Sequence, residues 1–129
     1  LIQALSLHCN KALNGSKILL IGMAYKKNVD DMRESPSLVL TELLESFGAQ
    51  VDYHDDFVPE IPLTREHKNL TGRQSIELTA ETLDCYDAIL ISTDHDDIDY
   101  QLIANHASLV IDTRNAMAEY SGKALVVKA

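Results

Sequence analysis

The apolar run Ile18-Leu19-Leu20-Ile21, ending at Gly22, constrains this chain more than any other stretch. Consecutive apolar residues point to both faces of a strand, so the run suits a parallel strand covered on each side. A charged stretch follows, with Lys26, Lys27, Asp30, Asp31, Arg33 and Glu34. Ser35-Pro36 then opens a helical pattern. Serine is a favoured N-cap, and proline fits the first helical position, where its missing N–H costs no bond. A buried strand therefore delivers a charged loop to a helix start. In open α/β sheets, ligands bind there, beyond the carboxyl ends of the strands.

The same alternation continues along the chain. The first strand is expected over Lys17–Met23. Leu38, Leu40, Leu43, Leu44 and Phe47 supply a helix face, with Gly48 as its stop. Gln50–His54 alternates Val51 and Tyr53 with polar residues and reads as a second strand. Residues Glu60 to Thr71 are polar, contain Pro62 and read as an irregular excursion. Ser75–Leu78 suits a short edge strand, and Thr79–Leu83 one or two helical turns. Asp87–Ser92 is a buried strand, Tyr100–His106 a short helix, and Leu109–Ile111 and Leu125–Val127 are two last strands. The pattern predicts a Rossmann-like three-layer α/β/α domain with a mostly parallel sheet and right-handed crossovers.

Leu1, Ile2, Leu5, Cys9 and Ala12 fall near helical spacing, and Asn14-Gly15 is a helix stop. The expected division is residues 1–14 as the tail of an inter-domain helical linker and residues 15–129 as the domain. A start at Leu1 rather than Met suggests a piece of a longer protein. The 129 residues suffice for one core. A net charge of −9 argues against a non-specific nucleic-acid or anionic-membrane partner. No apolar stretch approaches the ~20 residues that span a bilayer, and no secretory signal opens the chain. Cys9 and Cys85 form no CxxC and read as small core or semi-buried residues in a reduced, cytoplasmic setting.

Three strand ends carry polar clusters: Tyr25 to Arg33, Thr93 to Asp97, and Asp112 to Asn115. In a parallel sheet these ends share one edge and can converge on one crevice. Gly22-Met23-Ala24-Tyr25 lacks the further glycines of a dinucleotide fingerprint, and the stretch is no Walker loop. Lys26 could instead act as a point charge on a phosphate, with Arg33 as a bidentate fork. The same charges could equally be solvated and paired with Asp30, Asp31 and Glu34. Arg114 suits phosphate or carboxylate recognition, or a surface pair with Asp112. His95 among Asp94, Asp96, Asp97 and Asp99 allows a Mg²⁺ or Mn²⁺ site, although a solvated acidic loop is the simpler reading. Asp55-Asp56 could hold a ribose hydroxyl or merely form a turn.

Four ordered stretches carry a resemblance. GMAYKKNVDDMRESP (22–36), GAQVDYHD (48–55), DAILISTDHDDID (87–99) and VIDTRN (110–115) together resemble the C-terminal, UDP-binding domain of the UDP-glucose/GDP-mannose dehydrogenases. The resemblance runs from about Leu13 to Asn115 and is closest to the UDP-N-acetylhexosamine type, such as the UDP-N-acetylglucosamine 6-dehydrogenases. It implies a domain of an NAD-dependent enzyme that oxidises C6 of a UDP-sugar to a carboxylate. It further implies that Tyr25 and Lys26 contact the UDP portion of the substrate, that Arg114 binds substrate, and that Arg33 reaches the cofactor. NAD would be held mainly by an N-terminal domain of the same parent chain. The full-length enzyme would be a cytoplasmic homo-oligomer. Asp55-Asp56 departs from the family's Asp-Pro, which puts the turn there in question. The family's cysteine motif and GxGxxG loop have no counterpart, so no catalytic residue is assigned and the chain alone is expected to be inactive. Two alternatives stay open: a stand-alone nucleotide-binding or dimerisation module, and a metal-dependent phosphatase or receiver-like domain using Asp30, Asp31 and Asp55.

Overall fold

The structure is a computed structural model that describes residues 14–24, 35–63 and 67–128. Cys9, Tyr25, Lys26, Asp30, Asp31, Arg33 and the linker helix expected before Asn14 lie outside the described residues.

The elements run β1 (Lys17–Ile21), α1 (Pro36–Ser46), β2 (Gln50–His54), a 3-10 turn (Lys68–Leu70), α2 (Ala80–Asp84), β3 (Ala88–Ile91), α3 (Tyr100–His106), β4 (Leu109–Asp112) and β5 (Leu125–Lys128). All strand pairs are parallel, in the order β2-β1-β3-β4-β5. This is the expected Rossmann-like sheet, and the strand order reverses between β1 and β3. Such a switch point opens a crevice at the carboxyl ends of the strands.

The continuous apolar runs serve two cores. Ile18, Leu20, Leu90 and Ile111 face Leu38 and Leu44 of α1. Leu19, Ile21, Ile89, Ile91 and Val110 face Leu83 of α2 and Ile103 of α3. Alternate residues of one strand thus enter opposite layers, the reason no polar residue interrupts β1 or β3. Among the described residues no helix is long and apolar enough to cross a membrane.

Several local expectations are corrected. β1 stops at Ile21 rather than Met23, because the N–H groups of Met23 and Ala24 turn to the Asp55 carboxylate. Ser75–Leu78 is not a strand. Ser75 N–H donates to Pro59 O and Ile76 N–H to Tyr53 O, which leaves no continuous ladder. Leu43 and Phe47 are about half exposed, and α1 instead buries Ser37, Leu38, Thr41 and Leu44. Small polar residues on that face bring the helix close to the sheet edge, where the Ser37 hydroxyl donates to Gly22 O. Cys85 is exposed rather than semi-buried, because it caps the end of α2 with its thiol against Glu81 O at 3.3 Å.

Candidate functional site

The three residues after β1 are held at every backbone polar group. Gly22 N–H donates to His54 O, and Gly22 O accepts from the Ser37 hydroxyl. Met23 N–H donates to Asp55 Oδ2 at 2.7 Å, and Met23 O accepts from the Ser35 hydroxyl at 2.7 Å. Ala24 N–H donates to the same Asp55 oxygen at 2.9 Å, and Ala24 O accepts from the Thr93 hydroxyl at 2.7 Å. Gly22 has φ +90°, and a Cβ there would collide with the side chain and backbone of Thr93. Glycine is needed because the chain leaving β3 crosses directly over the turn leaving β1. Ser35 caps α1 through Ser37 N–H while holding Met23 O, so the predicted cap also ties the helix to the turn.

Asp55 and His95 are corrections to the solvated-loop and simple-turn readings. Both are fully buried. His95 Nε2 lies 2.8 Å from Asp55 Oδ2, and Asp55 Oδ1 accepts from Phe57 N–H at 2.9 Å. Burial pushes the Asp55 carboxyl up, but hydrogen bonds from His95, Ala24 and Met23 together outweigh it and hold the group below the usual carboxylate range. An ionised carboxylate only accepts, so His95 Nε2 carries the hydrogen of this contact. The Phe57 ring packs at a tilt against the His95 ring, with centroids 4.7 Å apart, and the Tyr100 hydroxyl donates to His95 O. Asp55 thus does for this turn what a phosphate oxygen does at a dinucleotide turn: it takes the N–H groups. With Met23 and Ala24 N–H both engaged, the turn after β1 does not fit a bound pyrophosphate.

Arg114 is exposed on the same edge. Asp112, at the end of β4, is buried and accepts from the backbone N–H groups of Arg114, Ala116 and Met117. That bracing folds the Asp-Thr-Arg-Asn turn, in which Asn115 adopts φ 59°. Asp112 therefore grips the Arg114 backbone, and the side chains form no surface pair. Arg114 Nε donates to Ser92 O at 3.0 Å, and its two Nη groups make no hydrogen bond to the described residues. A guanidinium anchored through Nε keeps its outer fork for a planar or tetrahedral anion. Lys128 stands in register opposite Asp112 and adds a second cation at that end of the sheet.

The clefts near this edge are acidic. One of about 540 Å³ is lined by His54, Asp56, Glu77, Asp97 and Asp99 among others. Asp97 is pushed above the usual carboxylate range by burial and then by the charge of Asp56. That sign opposes a diphosphate, and the cleft beside Asn115, lined by Asp94, Asp96 and Glu119, is acidic as well. Among the described residues no group of three or more His, Cys, Asp or Glu is placed to hold a metal ion. Asp55, required by the receiver-like reading, has both oxygens taken within the protein. The roles of Asp55 and His95 were missed because a histidine among aspartates reads as polar surface. The signal lay in the apolar residues beside them, Phe57 and Ile98, which mark loops that turn inward.

Fold and strand order together define a Rossmann-like α/β domain built on an all-parallel sheet. Residues 19–119 match the UDP-glucose/GDP-mannose dehydrogenase family, UDP binding domain, and the chain belongs to that family. It is 32% identical to the UDP-glucose 6-dehydrogenase YwqF of Bacillus subtilis (strain 168), over 82% of this chain and 26% of that protein. It is 33% identical to the UDP-N-acetyl-D-mannosamine dehydrogenase of Escherichia coli (strain K12), over 67% of this chain and 20% of that protein. Among solved structures, an NDP-N-acetyl-D-galactosaminuronic acid dehydrogenase from Methanosarcina mazei Go1 superposes with a TM-score of 0.70 at 27% identity, covering 98% of this chain and 26% of that one. The UDP-D-ManNAc dehydrogenase from Pyrococcus horikoshii shares the fold, with a TM-score of 0.72 at 23% identity over 96% of this chain and 28% of that one. The chain thus spans about a quarter of the length of its curated relatives.

Proposed function

We propose that this chain is the substrate-nucleotide-binding domain of an NAD-dependent UDP-sugar 6-dehydrogenase, and that Arg114 is its anion-binding side chain. The observation that carries the reading is the braced Asp112 turn, which holds an exposed guanidinium fork at the sheet edge within the family-matched span. Tyr25 and Lys26 join Arg114 on the UDP portion, and Arg33 reaches toward the cofactor. Residues 1–14 are the tail of a linker from an N-terminal domain, and residues 15–129 are the binding domain. NAD belongs to that N-terminal domain, because the turn after β1 here has its N–H groups engaged by Asp55. When bound, NAD accepts the hydride removed at C6; the residues of this chain bind and orient the nucleotide. The nucleophilic cysteine also lies in the parent chain's other part, and the working enzyme is a cytoplasmic homo-oligomer. The sugar is a hexose or an N-acetylhexosamine, of which the motif spellings favour the second.

Titration calorimetry of UDP, NAD and Mg²⁺ against the chain tests this. UDP binding that weakens in Arg114→Ala is expected. Mg²⁺ binding without UDP binding would overturn the reading, and NADH production by the pure chain would overturn the placement of the chemistry elsewhere.

A further inference from the structure

A buried polar network lies behind the edge that carries Arg114. Its centre is the Asp55–His95 pair. Asp55 leaves β2 and reaches back to the turn after β1, while His95 comes from the loop after β3. The segment Met23–Ala24 lies between Asp55 and Thr93, its N–H groups donating to the Asp55 carboxylate and Ala24 O accepting from the Thr93 hydroxyl. Ser92, the neighbour of Thr93, offers its carbonyl to Arg114 Nε and its hydroxyl to Ser37. A continuous set of hydrogen bonds therefore runs from His95 through Asp55, Met23–Ala24 and Thr93 to the strand end that seats the guanidinium.

We infer that Asp55 and His95 are positioning residues for nucleotide binding: they lock the ends of β1, β2 and β3 in mutual register and so place the binding edge. The inference rests on the reading of this edge as a UDP site. The geometry favours a positioning role over a general contribution to the core. Asp55 Oδ2 gathers three donors, two of them successive backbone N–H groups next to the switch point. An apolar pair of similar volume would fill the space but leave Met23 and Ala24 N–H without acceptors, and the turn would have to move to find them.

The test compares His95→Leu, which fills the space, with His95→Gln, whose amide can donate where Nε2 does, alongside the unaltered chain. Two readouts are taken: amide hydrogen exchange at Met23 and Ala24 without ligand, and UDP affinity by calorimetry. In His95→Leu, exchange at both amides is expected to rise at least tenfold more than at β4 amides, and UDP affinity to fall about tenfold. His95→Gln is expected to restore both to within about threefold of the unaltered chain. Exchange in His95→Leu that rises equally throughout the sheet, or that stays unchanged at Met23 and Ala24, would overturn the inference. So would rescue of exchange by glutamine without any change in UDP affinity across the variants. If the unaltered chain binds no UDP, the reading of the edge fails, while the exchange pattern still decides whether the pair registers the strand ends. Asp55→Asn, read the same way, checks the other half of the pair.

Discussion

The Ser35 hydroxyl donates to the carbonyl of Met23 across 2.7 Å, so the residue that starts α1 is bonded to the turn that ends β1. The same oxygen accepts from Ser37 N–H as the helix cap. The end of the β1 turn and the start of α1 are thus tied together. Ser35→Ala removes both interactions in a buried setting. A loss of about 1–3 kcal/mol in urea unfolding is expected. Ser35→Thr, which keeps the hydroxyl, should recover most of it.

Asp55 accepts four hydrogen bonds while fully buried, so it should dominate the acid response of the domain. Its folded carboxyl is held below the ordinary range, so the native state binds its proton less tightly than the unfolded chain does. The associated stability is complete above the unfolded value of about 3.9 and is lost as pH falls through the folded value. Asp55→Asn should cost about 2–4 kcal/mol at neutral pH, because an amide cannot accept all four hydrogen bonds that the buried carboxylate accepts. It should also flatten the decline in melting temperature below about pH 4. Melting curves of both proteins from pH 2 to 7 check the slope.

Gly22 and Gly15 both have positive φ, but only Gly22 has the chain after β3 lying over it. Gly15→Ala should therefore cost about 1–2 kcal/mol, for the backbone conformation alone. Gly22→Ala adds the collision with Thr93 and should cost about 2–4 kcal/mol. Equal losses from the two substitutions would show that the β1 turn can move away from Thr93.

Arg114 is exposed, and its described contacts are the Nε bond to Ser92 O and the backbone bond to Asp112. Arg114→Ala should leave the melting temperature nearly unchanged. UDP affinity should fall about ten- to a hundredfold, the usual scale for a charge-assisted hydrogen bond. Arg114→Lys should not restore it fully, because a lysine cannot bond Ser92 O and present a fork at once. Calorimetry at low and high salt separates this local contact from the background of a chain with net charge −9.

The sheet was legible because its signals are local. Apolar runs at 18–21, 88–91 and 109–111 report strands buried on two faces, and Ser35-Pro36 reports a helix start. The absence of a dinucleotide fingerprint after β1 is legible too, since that motif depends on glycine spacing. Ser75–Leu78 misled because its alternation resembles a strand, while its N–H groups bond to two separate carbonyls. Leu43 and Phe47 misled because helical spacing gives a face but not the neighbour that covers it. The sequence reading placed Arg114 at a strand end, and it sits there. It could not see that Asp112 would brace the turn through three backbone N–H groups.

By itself, the sequence determined the class of fold, the strand ends that carry polar groups, and the family motifs. These follow from periodicity and spacing, which act between near neighbours in the chain. The tertiary structure decided what the polar groups do. Asp55 and His95 are separated by 39 intervening residues, yet they meet in the dry interior at 2.8 Å. Only there does a carboxylate that looks like surface become the acceptor on which three strand ends are aligned, because a buried charge must find donors wherever the fold supplies them.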